Sequence, residues 1–294
     1  MQRIGEIAAF GTAICWTLSA LFFERATKRI GVPGVNFYKL VFAFVFLALS
    51  AGLLRGQFLP LDAPPDAWFY LSLSGIVGFV ITDIFLFSAY RTIGSRMSTL
   101  FLALSPPLTA FLGYVVLGEA MGPRALAGMA LVAVGIILAV LGRGDIRLAS
   151  GPDRKGYLFG FLSAIGQAFG MILTKRGLGD YDAVSGTQIR VMVAIVGFAI
   201  VSLLWERGTS MKNSPKDKDA MKFTLFGSVF GPFLGVALSL FAMQKTHAGI
   251  VSTLIGLTPV LIIPPAIIFL KQKVCPLEIV GALIAVAGSA VFFL

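Results

Sequence analysis

Two stretches of this chain, separated by about half its length, place proline and glycine at the same positions. Residues 105–141 read SPPLTAFLGYVVLGEAMGPRALAGMALVAVGIILAVL, and residues 258–294 read TPVLIIPPAIIFLKQKVCPLEIVGALIAVAGSAVFFL. The positions that coincide include Pro106 with Pro259, Pro123 with Pro276, Gly128 with Gly281 and Gly135 with Gly288. Because proline and glycine break helices or let them pack closely, shared placement indicates a shared backbone. The chain therefore contains an internal repeat.

The apolar runs of the chain are long enough to cross a membrane. Hydrophobic residues make up 57% of the sequence and charged residues 13%, whereas a soluble domain carries about 25% charged residues. A helix needs about 20 apolar residues to span the hydrocarbon core. Because these runs recur along the whole chain, it is predicted to be an integral membrane protein. The composition argues against a soluble enzyme, a disordered chain or a disulfide scaffold.

Ten helices are predicted, joined by short connections. The first five cover roughly residues 5–23, 35–54, 67–89, 97–117 and 125–141, and the second five cover 156–174, 183–204, 222–242, 246–269 and 276–293. The first run is kept as a structural helix and not read as a cleaved signal peptide, because Gly5–Arg25 matches Gly156–Arg176. The predicted units are a repeat over residues 1–141, a connecting loop over 142–155 and a repeat over 156–294.

The odd number of helices in each repeat fixes the relation between the halves. After five crossings the second half must start on the opposite side of the membrane, so the halves form an inverted repeat. This arrangement is typical of secondary transporters, which hold their substrate near the midplane between the halves. The predicted fold class is an all-α integral membrane protein with ten transmembrane helices around a central cavity.

The positively charged residues are distributed unequally between the two ends of these helices. The connections after helices one, three, five, seven and nine carry sixteen Lys and Arg residues, and the opposite side carries six. We call the richer end the basic side. Cytoplasmic loops carry the excess of Lys and Arg, so the basic side is expected in the cytoplasm and both termini outside. The chain's net charge of +10 is attributed to this bias and to anionic lipid headgroups, not to nucleic-acid binding.

Specific motifs resemble a known family. Pro106 within the fourth helix is followed by Leu117-Gly118-Glu119, Gly128 and Gly135, and Cys15-Trp16-Thr17 lies on the first helix with Arg25 near its end. This pattern resembles the ten-helix EamA-type branch of the drug/metabolite transporter (DMT) superfamily over nearly the whole chain. The resemblance implies a basket of ten helices that often exports amino acids or other small metabolites. The chain departs from the family pattern at Lys271-Gln272-Lys273, and some relatives of this kind have cytoplasmic termini.

Two proline-containing helices place polar residues near the bilayer midplane. Ser105 and Pro106 lie in the middle of the fourth helix, and Thr258 and Pro259 lie at the matching place in the ninth. Proline removes a backbone donor and frees a carbonyl, and freed carbonyls in hydrocarbon are costly unless they line a cavity or meet another group. These four residues are therefore candidates for the substrate site. The alternative is that the kinks only shape helix packing.

Asp83, Lys39 and Arg190 are charged residues that lie well inside predicted helices. A charge at the membrane centre costs at least about 2.5 kcal/mol on insertion scales. Asp83 in the third helix and Lys39 in the second enter from the same side and could form a pair; an unpaired Asp83 could instead carry a proton. Arg190 is the twin of Lys39 in the second half, where Val236 replaces Asp83. Arg190 either binds a substrate anion or extends toward the interface.

Further candidates for the substrate site lie on the first helix and on its twin, the sixth. They are Trp16 and Ser19 on the first helix and Gln167 at the position equivalent to Trp16 on the sixth. Tryptophan offers a flat apolar face with one donor, and glutamine offers donors and an acceptor. The alternative for Trp16 is plain helix packing. No site is assigned to the phenylalanines.

The function that these features favour is a secondary transporter that exports a small polar metabolite, with amino acids first, by alternating access. Organic anions such as sugar-phosphate-type compounds are the alternative substrates. A membrane scaffold or a membrane-embedded enzyme is the alternative class, disfavoured because Asp83 and Lys39 alone do not form a reactive cluster. We expect no cofactor, metal or catalytic residue, a monomer rather than a dimer, protons as a candidate coupling ion, and a cell membrane of the bacterial inner-membrane type.

Overall fold

The computed structural model describes residues 2–117, 122–142, 153–245, 254–271 and 274–293. Several sequence predictions fall outside this part of the chain. They are Gly118 and Glu119 of the family motif, residues 143–152 of the connecting loop, and Gln272 and Lys273, which belong to the stretch that departs from the family motif.

The described part of the chain contains the ten long helices that were predicted. α1 (residues 2–30) and α2 (residues 32–55) are the two arms of one helical run, Gln2–Arg55, that bends at Gly31. The remaining helices of the first half are α3 (Pro65–Thr92), α4 (Gly94–Leu102 and Ser105–Leu117) and α5 (Pro123–Gly142). The second half contains α6 (Asp153–Leu178), α7 (Ala183–Glu206), α8 (Lys218–Ser228, Val229–Gly235 and Val236–Lys245), α9 (Thr258–Leu261 and Ile263–Leu270) and α10 (Pro276–Phe293).

Several of these helices have the length and apolar character of membrane spans. Five helical runs among the described residues meet both criteria: Arg3–Arg55, which contains α1 and α2, Pro65–Thr92, Gly94–Val115, Arg154–Leu178 and Ala183–Glu206. Shorter apolar helices cover Leu126–Gly142, Thr258–Leu270 and Pro276–Val291. Many large apolar side chains are exposed on the protein surface, including Leu53, Phe69 and Ile268. Such a surface suits a lipid environment.

The bend between α1 and α2 differs from the loop that the sequence predicted. Gly31 alone leaves the helical conformation, with φ 78° and ψ 171°. This φ belongs to the region that glycine adopts without steric cost, and Pro33 fixes the backbone on the far side of the bend. One glycine therefore reverses the chain where a longer connection was expected.

Helices from the two halves pack against each other in matching pairs. α5 packs along α10, and α2 packs against α7. α1 contacts α8. In the repeat, α6 is equivalent to α1 and α3 is equivalent to α8, and α6 likewise contacts α3. The first segment of α9 contacts the run Gln2–Arg55 that contains α1 and α2, and the second segment of α4 contacts α6. The two halves are therefore interleaved, and the helices of each half are buried partly by the other.

The α5–α10 contact depends on glycines that the repeat shares. A Cβ atom added at Gly135 would lie 2.4 Å from the Ala285 nitrogen, and one at Gly281 would lie 2.4 Å from the Ala139 nitrogen. These neighbours are backbone atoms, which cannot rotate away. The absence of a side chain thus lets the two helices approach closely, as small residues do in membrane helix pairs.

The segment between α7 and α8 folds over the basic side. It contains a short helix, Thr209–Asn213, and the turn Ser214–Lys216. The Arg29 guanidinium donates two hydrogen bonds to Asp217, at 2.8 and 3.0 Å, and this contact holds the pKa of the Asp217 carboxyl below its usual value. Ser214 is buried, whereas Lys216 is exposed. Lys216 is therefore the better reporter of which side of the membrane this segment faces.

We predict that a single cysteine at Lys216, in a background without Cys15 and Cys275, is shielded in intact cells. The excess of Lys and Arg on this side predicts that it faces the cytoplasm. An impermeant maleimide should label Lys216→Cys only after the membrane is opened. Ready labelling in intact cells would show that the orientation is reversed.

We predict that Gly281→Ala weakens the α5–α10 contact, because its methyl group would overlap the backbone of α5. Overpacking of this kind costs about 1–3 kcal/mol, so the unfolding temperature of the purified protein should fall. Gly122→Ala is the matched control, since a Cβ atom there meets nothing within 4 Å. An equal response of the two variants would contradict the role given to Gly281.

Candidate functional site

The charged residues predicted inside the helices meet in one buried cluster. The Lys39 ammonium on α2 lies 2.5 Å from the Asp83 carboxylate on α3, and both side chains are buried. The sequence left open whether Asp83 stands alone or pairs with Lys39; the structure contains the pair. A buried charge without a partner is costly, so each of the two residues depends on the other.

Aromatic rings complete the surroundings of Lys39. Its ammonium lies 4.5 Å from the centre of the Phe87 ring and 5.6 Å from that of Phe23. The faces of such rings carry negative potential and attract a cation, most strongly where water is excluded. No site was assigned to the phenylalanines from the sequence, and the structure places these two rings beside Lys39. Only a three-dimensional structure separates them from the many other phenylalanines of the chain.

Arg190 joins this cluster from the other half of the molecule. Its guanidinium lies 4.4 Å from the centre of the Phe79 ring on α3 and interacts electrostatically with Asp83. Its Nε atom is buried and has no hydrogen-bond partner among the described residues. From the sequence, Val236 stands in the second half where the first has Asp83; in the structure the acidic residue that influences Arg190 is Asp83 of the first half. The cluster thus contains two cations and one carboxylate.

Glycines on α3 make room for Arg190. A Cβ atom at Gly75 would lie 2.6 Å from the Arg190 carbonyl oxygen, and one at Gly78 would lie 3.1 Å from its Nη2 atom. Gly78 also faces Gly170 of α6, where an added Cβ would lie 2.6 Å from the Gly78 Cα. The backbone of α3 is therefore close enough to α7 to enclose the guanidinium.

α3 and α8 both widen into a π-helix at equivalent positions. The π-helical segments are Ile76–Ile81 in α3 and Val229–Gly235 in α8. A π-helical turn leaves a backbone carbonyl without its usual partner and is frequent at functional sites. In α3, the Thr82 hydroxyl donates to the Val77 carbonyl at 2.8 Å. Neither π-helical segment was predicted from the sequence. The signals that could have indicated them are Gly78 and Gly231, which coincide in the repeat, and Pro232, which disturbs the helical pattern.

The candidates on α1 face the π-helical segment of α8. The Ser19 hydroxyl donates to the Gly227 carbonyl at 2.9 Å, and a Cβ atom at Gly235 would lie 2.4 Å from Trp16 Nε1. Ser19 is buried, and Trp16 is 39% exposed. On the symmetry-related side, Gln167 of α6 is half-buried. Trp16 and Ser19 therefore lie against α8 at and next to its π-helical segment.

The polar residues of α4 and α9 lie at breaks in their helices. α4 is interrupted at residues 103–104, and Ser105 and Pro106 begin its second segment. In α9, Thr258 and Pro259 begin the segment that ends at Leu261, and the Thr258 hydroxyl donates to the Ile255 carbonyl at 2.7 Å. Ser105, Thr258 and Pro259 are buried. The helix breaks were expected, whereas no contact described by the structure joins them to Lys39, Asp83 or Arg190.

Comparisons with known proteins agree with this architecture. The model of the EamA-like transporter family matches residues 3–141 and again residues 154–294. An uncharacterized transporter of Archaeoglobus fulgidus is 26% identical over 266 residues, covering 89% of this chain and 88% of that protein. A solved crystal structure has a similar fold, with a TM-score of 0.64 and 19% identity over 98% of this chain and 95% of its own. The family match covers both halves of the chain, which belongs to the EamA-like transporter family of the DMT superfamily.

Proposed function

We propose that this transporter exports a small polar metabolite that carries an anionic group, amino acids being the first choice, and that Arg190 binds this group. The observation that carries the proposal is the imbalance of charge in the buried cluster, where the carboxylate of Asp83 is paired with Lys39 and a second cation, Arg190, lies nearby. Lys39 is hydrogen-bonded to that carboxylate, whereas Arg190 Nε has no partner in the described part of the chain. Arginine can hold a carboxylate through two parallel hydrogen bonds.

An amino acid fits the signs of charge in this cluster. Its carboxylate would meet the Arg190 guanidinium, and its ammonium group would find Asp83 nearby. The Phe79, Phe87 and Phe23 rings, which already lie against the two cations, would offer apolar surface to the rest of the molecule. Export, rather than uptake, is the direction that the family resemblance implies.

The inverted halves favour alternating access as the way of moving this substrate. In this mechanism one half moves against the other around a fixed central site. The π-helical segments of α3 and α8 occupy equivalent positions, as do the breaks of α4 and α9. Irregular turns of this kind are places where a helix bends. The two halves would therefore bend at matching points.

Organic anions such as sugar-phosphate-type compounds are the second candidate substrates. The excess of positive charge in the cluster favours them, because a phosphate could engage both Lys39 and Arg190. A thermal-shift screen separates the two classes, since a ligand that binds only the folded protein raises its melting temperature. The screen should contain amino acids, their amides, carboxylic acids and sugar phosphates. Stabilisation by sugar phosphates alone would favour the second candidate.

We predict that Lys39 and Asp83 stabilise the protein as a pair, and that Asp83 is a counter-ion rather than a proton carrier. Breaking a buried pair by removing one partner costs about 3–5 kcal/mol, so Asp83→Asn and Lys39→Met should each lower the unfolding temperature. The double variant should recover much of the loss because no unpaired charge remains.

Flux measurements in liposomes distinguish this pairing from proton coupling. If Asp83 carried a proton, Asp83→Asn would abolish uptake driven by a pH gradient and leave exchange between substrate pools intact. Single variants that are as stable as the wild type, combined with that loss of driven uptake, would contradict the pairing account.

We predict that Arg190→Lys weakens binding of the best acidic ligand from the screen and that Arg190→Gln weakens it further. Truncating one partner of a desolvated charge pair costs about 2–5 kcal/mol, or roughly thirty-fold to several thousand-fold in affinity. Arg176→Gln is a matched control, because Arg176 lies in the last turn of α6, over the Tyr70 ring and outside the cluster. The measurement compares the acid with its uncharged amide analogue. Normal binding of the acid by Arg190→Gln, or a wild-type preference for the amide, would rule out this role.

A further inference from the structure

The first segment of α4 is enclosed on every side at the basic end of the molecule. All residues from Gly94 to Phe101 are buried, although the segment begins at the connection after α3, where exposure to water would be expected. From the sequence, Arg96 was predicted in that connection and the helix was predicted to begin at Met97. The structure places Arg96 inside the helix, with 7% of its side chain exposed. Any pathway that opens at this end must therefore displace α4 or its neighbours.

A buried carboxylate of α1 holds the beginning of α4. Glu24 is fully buried, and its Oε2 atom accepts a hydrogen bond from the Ser95 backbone nitrogen at 2.7 Å. Its other oxygen lies 2.5 Å from the Lys28 ammonium. The first amide groups of a helix have no partner within the helix, and the positive end of the helix dipole attracts an anion. Glu24 therefore acts as a capping group that α1 supplies to α4.

A second buried ionic contact fastens the same end of α4 to α10. Arg96 Nη2 lies 2.9 Å from Glu278 Oε1, and 4% of the Glu278 side chain is exposed. The other Glu278 oxygen accepts a hydrogen bond from the Cys275 nitrogen at 3.4 Å, at the start of α10. The two contacts, Glu24 with Ser95 and Arg96 with Glu278, thus clamp one helical turn between helices of opposite halves.

These residues are not repeated in the other half. The positions equivalent to Glu24, Arg96 and Glu278 are Lys175, Gly249 and Ala125. The three ionic side chains therefore occur in only one copy of the repeated sequence. The difference in sequence therefore assigns this arrangement to one end of the molecule.

We propose that Glu24, Arg96 and Glu278 form a lock that holds the basic end of the transporter closed, and that this end opens only when the lock separates. The inference rests on the alternating access proposed above, which requires each end to open in turn. Ion pairs of this kind suit a lock, because their desolvation cost makes the closed state only marginally favoured over separate, hydrated charges. In this proposal the three side chains hold the start of α4 against α1 and α10, and they are not assigned to the substrate site.

The test measures accessibility just beneath the lock and needs no ligand. Ser98, on the next turn of α4, is fully buried, and Ser98→Cys is a nearly isosteric reporter in a background without Cys15 and Cys275. The rate of reaction with a fluorescein maleimide is measured on protein purified in detergent. Arg96→Gln and Glu278→Gln should each raise this rate at least tenfold over the slow background. Arg96→Lys, which keeps the charge, should give an intermediate rate.

Control variants separate the lock from a general loss of charge. Arg91→Gln and Asp219→Asn remove exposed charges from the same end of the protein and should leave the labelling rate unchanged. The exchanged pair, Arg96→Glu with Glu278→Arg, should return the rate toward the background because opposite charges again face each other. Failure of the exchanged pair to lower the rate below that of the single variants would overturn the ion-pair account.

A second reporter separates opening from unfolding. Ser185 lies at the other end of the molecule and is also buried. Ser185→Cys should keep its slow labelling when the lock is broken. Equal acceleration at both reporters, or unchanged labelling at Ser98→Cys in every lock variant, would overturn the proposal. Because no ligand is added, this outcome is independent of whether Arg190 binds an anion.

Discussion

Polar groups inside a bilayer must find their partners within the protein, and this constraint organises the whole molecule. Water is not available to hydrate a charge or a backbone carbonyl in the hydrocarbon region. Lys39 accordingly contacts Asp83 and aromatic rings, and the Thr82 hydroxyl satisfies a carbonyl near the π-helical turn of α3. The helices of the two halves interleave because each half supplies groups that the other lacks. Arg190 of the second half, whose guanidinium lies over the Phe79 ring of the first, is the clearest case.

The duplicated backbone and the unduplicated side chains have different consequences. Shared glycines, such as Gly135 and Gly281, give the two halves the same close helix contact. The charged residues break this symmetry, because Asp83 has no twin and neither do Glu24, Arg96 and Glu278. We propose that the symmetric scaffold provides two equivalent bending units and that the asymmetric charges distinguish its two ends. The proposed lock depends on residues that occur in one half only.

The sequence predicted the fold more completely than the site. Ten helices and an inverted repeat follow from apolar length and from the placement of proline and glycine, which are local properties. The pairing of Lys39 with Asp83 could be anticipated because both lie at a similar depth. The position of Arg190 over the Phe79 ring could not be anticipated, since it depends on how α3 crosses α7. The π-helical turns were not predicted because one extra residue in a turn leaves the hydrophobic pattern nearly unchanged. Arg96 was predicted in a loop because its burial depends on an acid, Glu278, that lies far along the chain.

The central claim is that an anionic group of the substrate binds at Arg190 within the buried cluster. The most direct measurement is an experimental structure of the protein with the best acidic ligand of the screen bound. The account predicts a carboxylate or phosphate oxygen of the ligand within hydrogen-bond distance of the Arg190 guanidinium. A ligand bound elsewhere, with Arg190 still without an anionic partner from the ligand, would contradict the account.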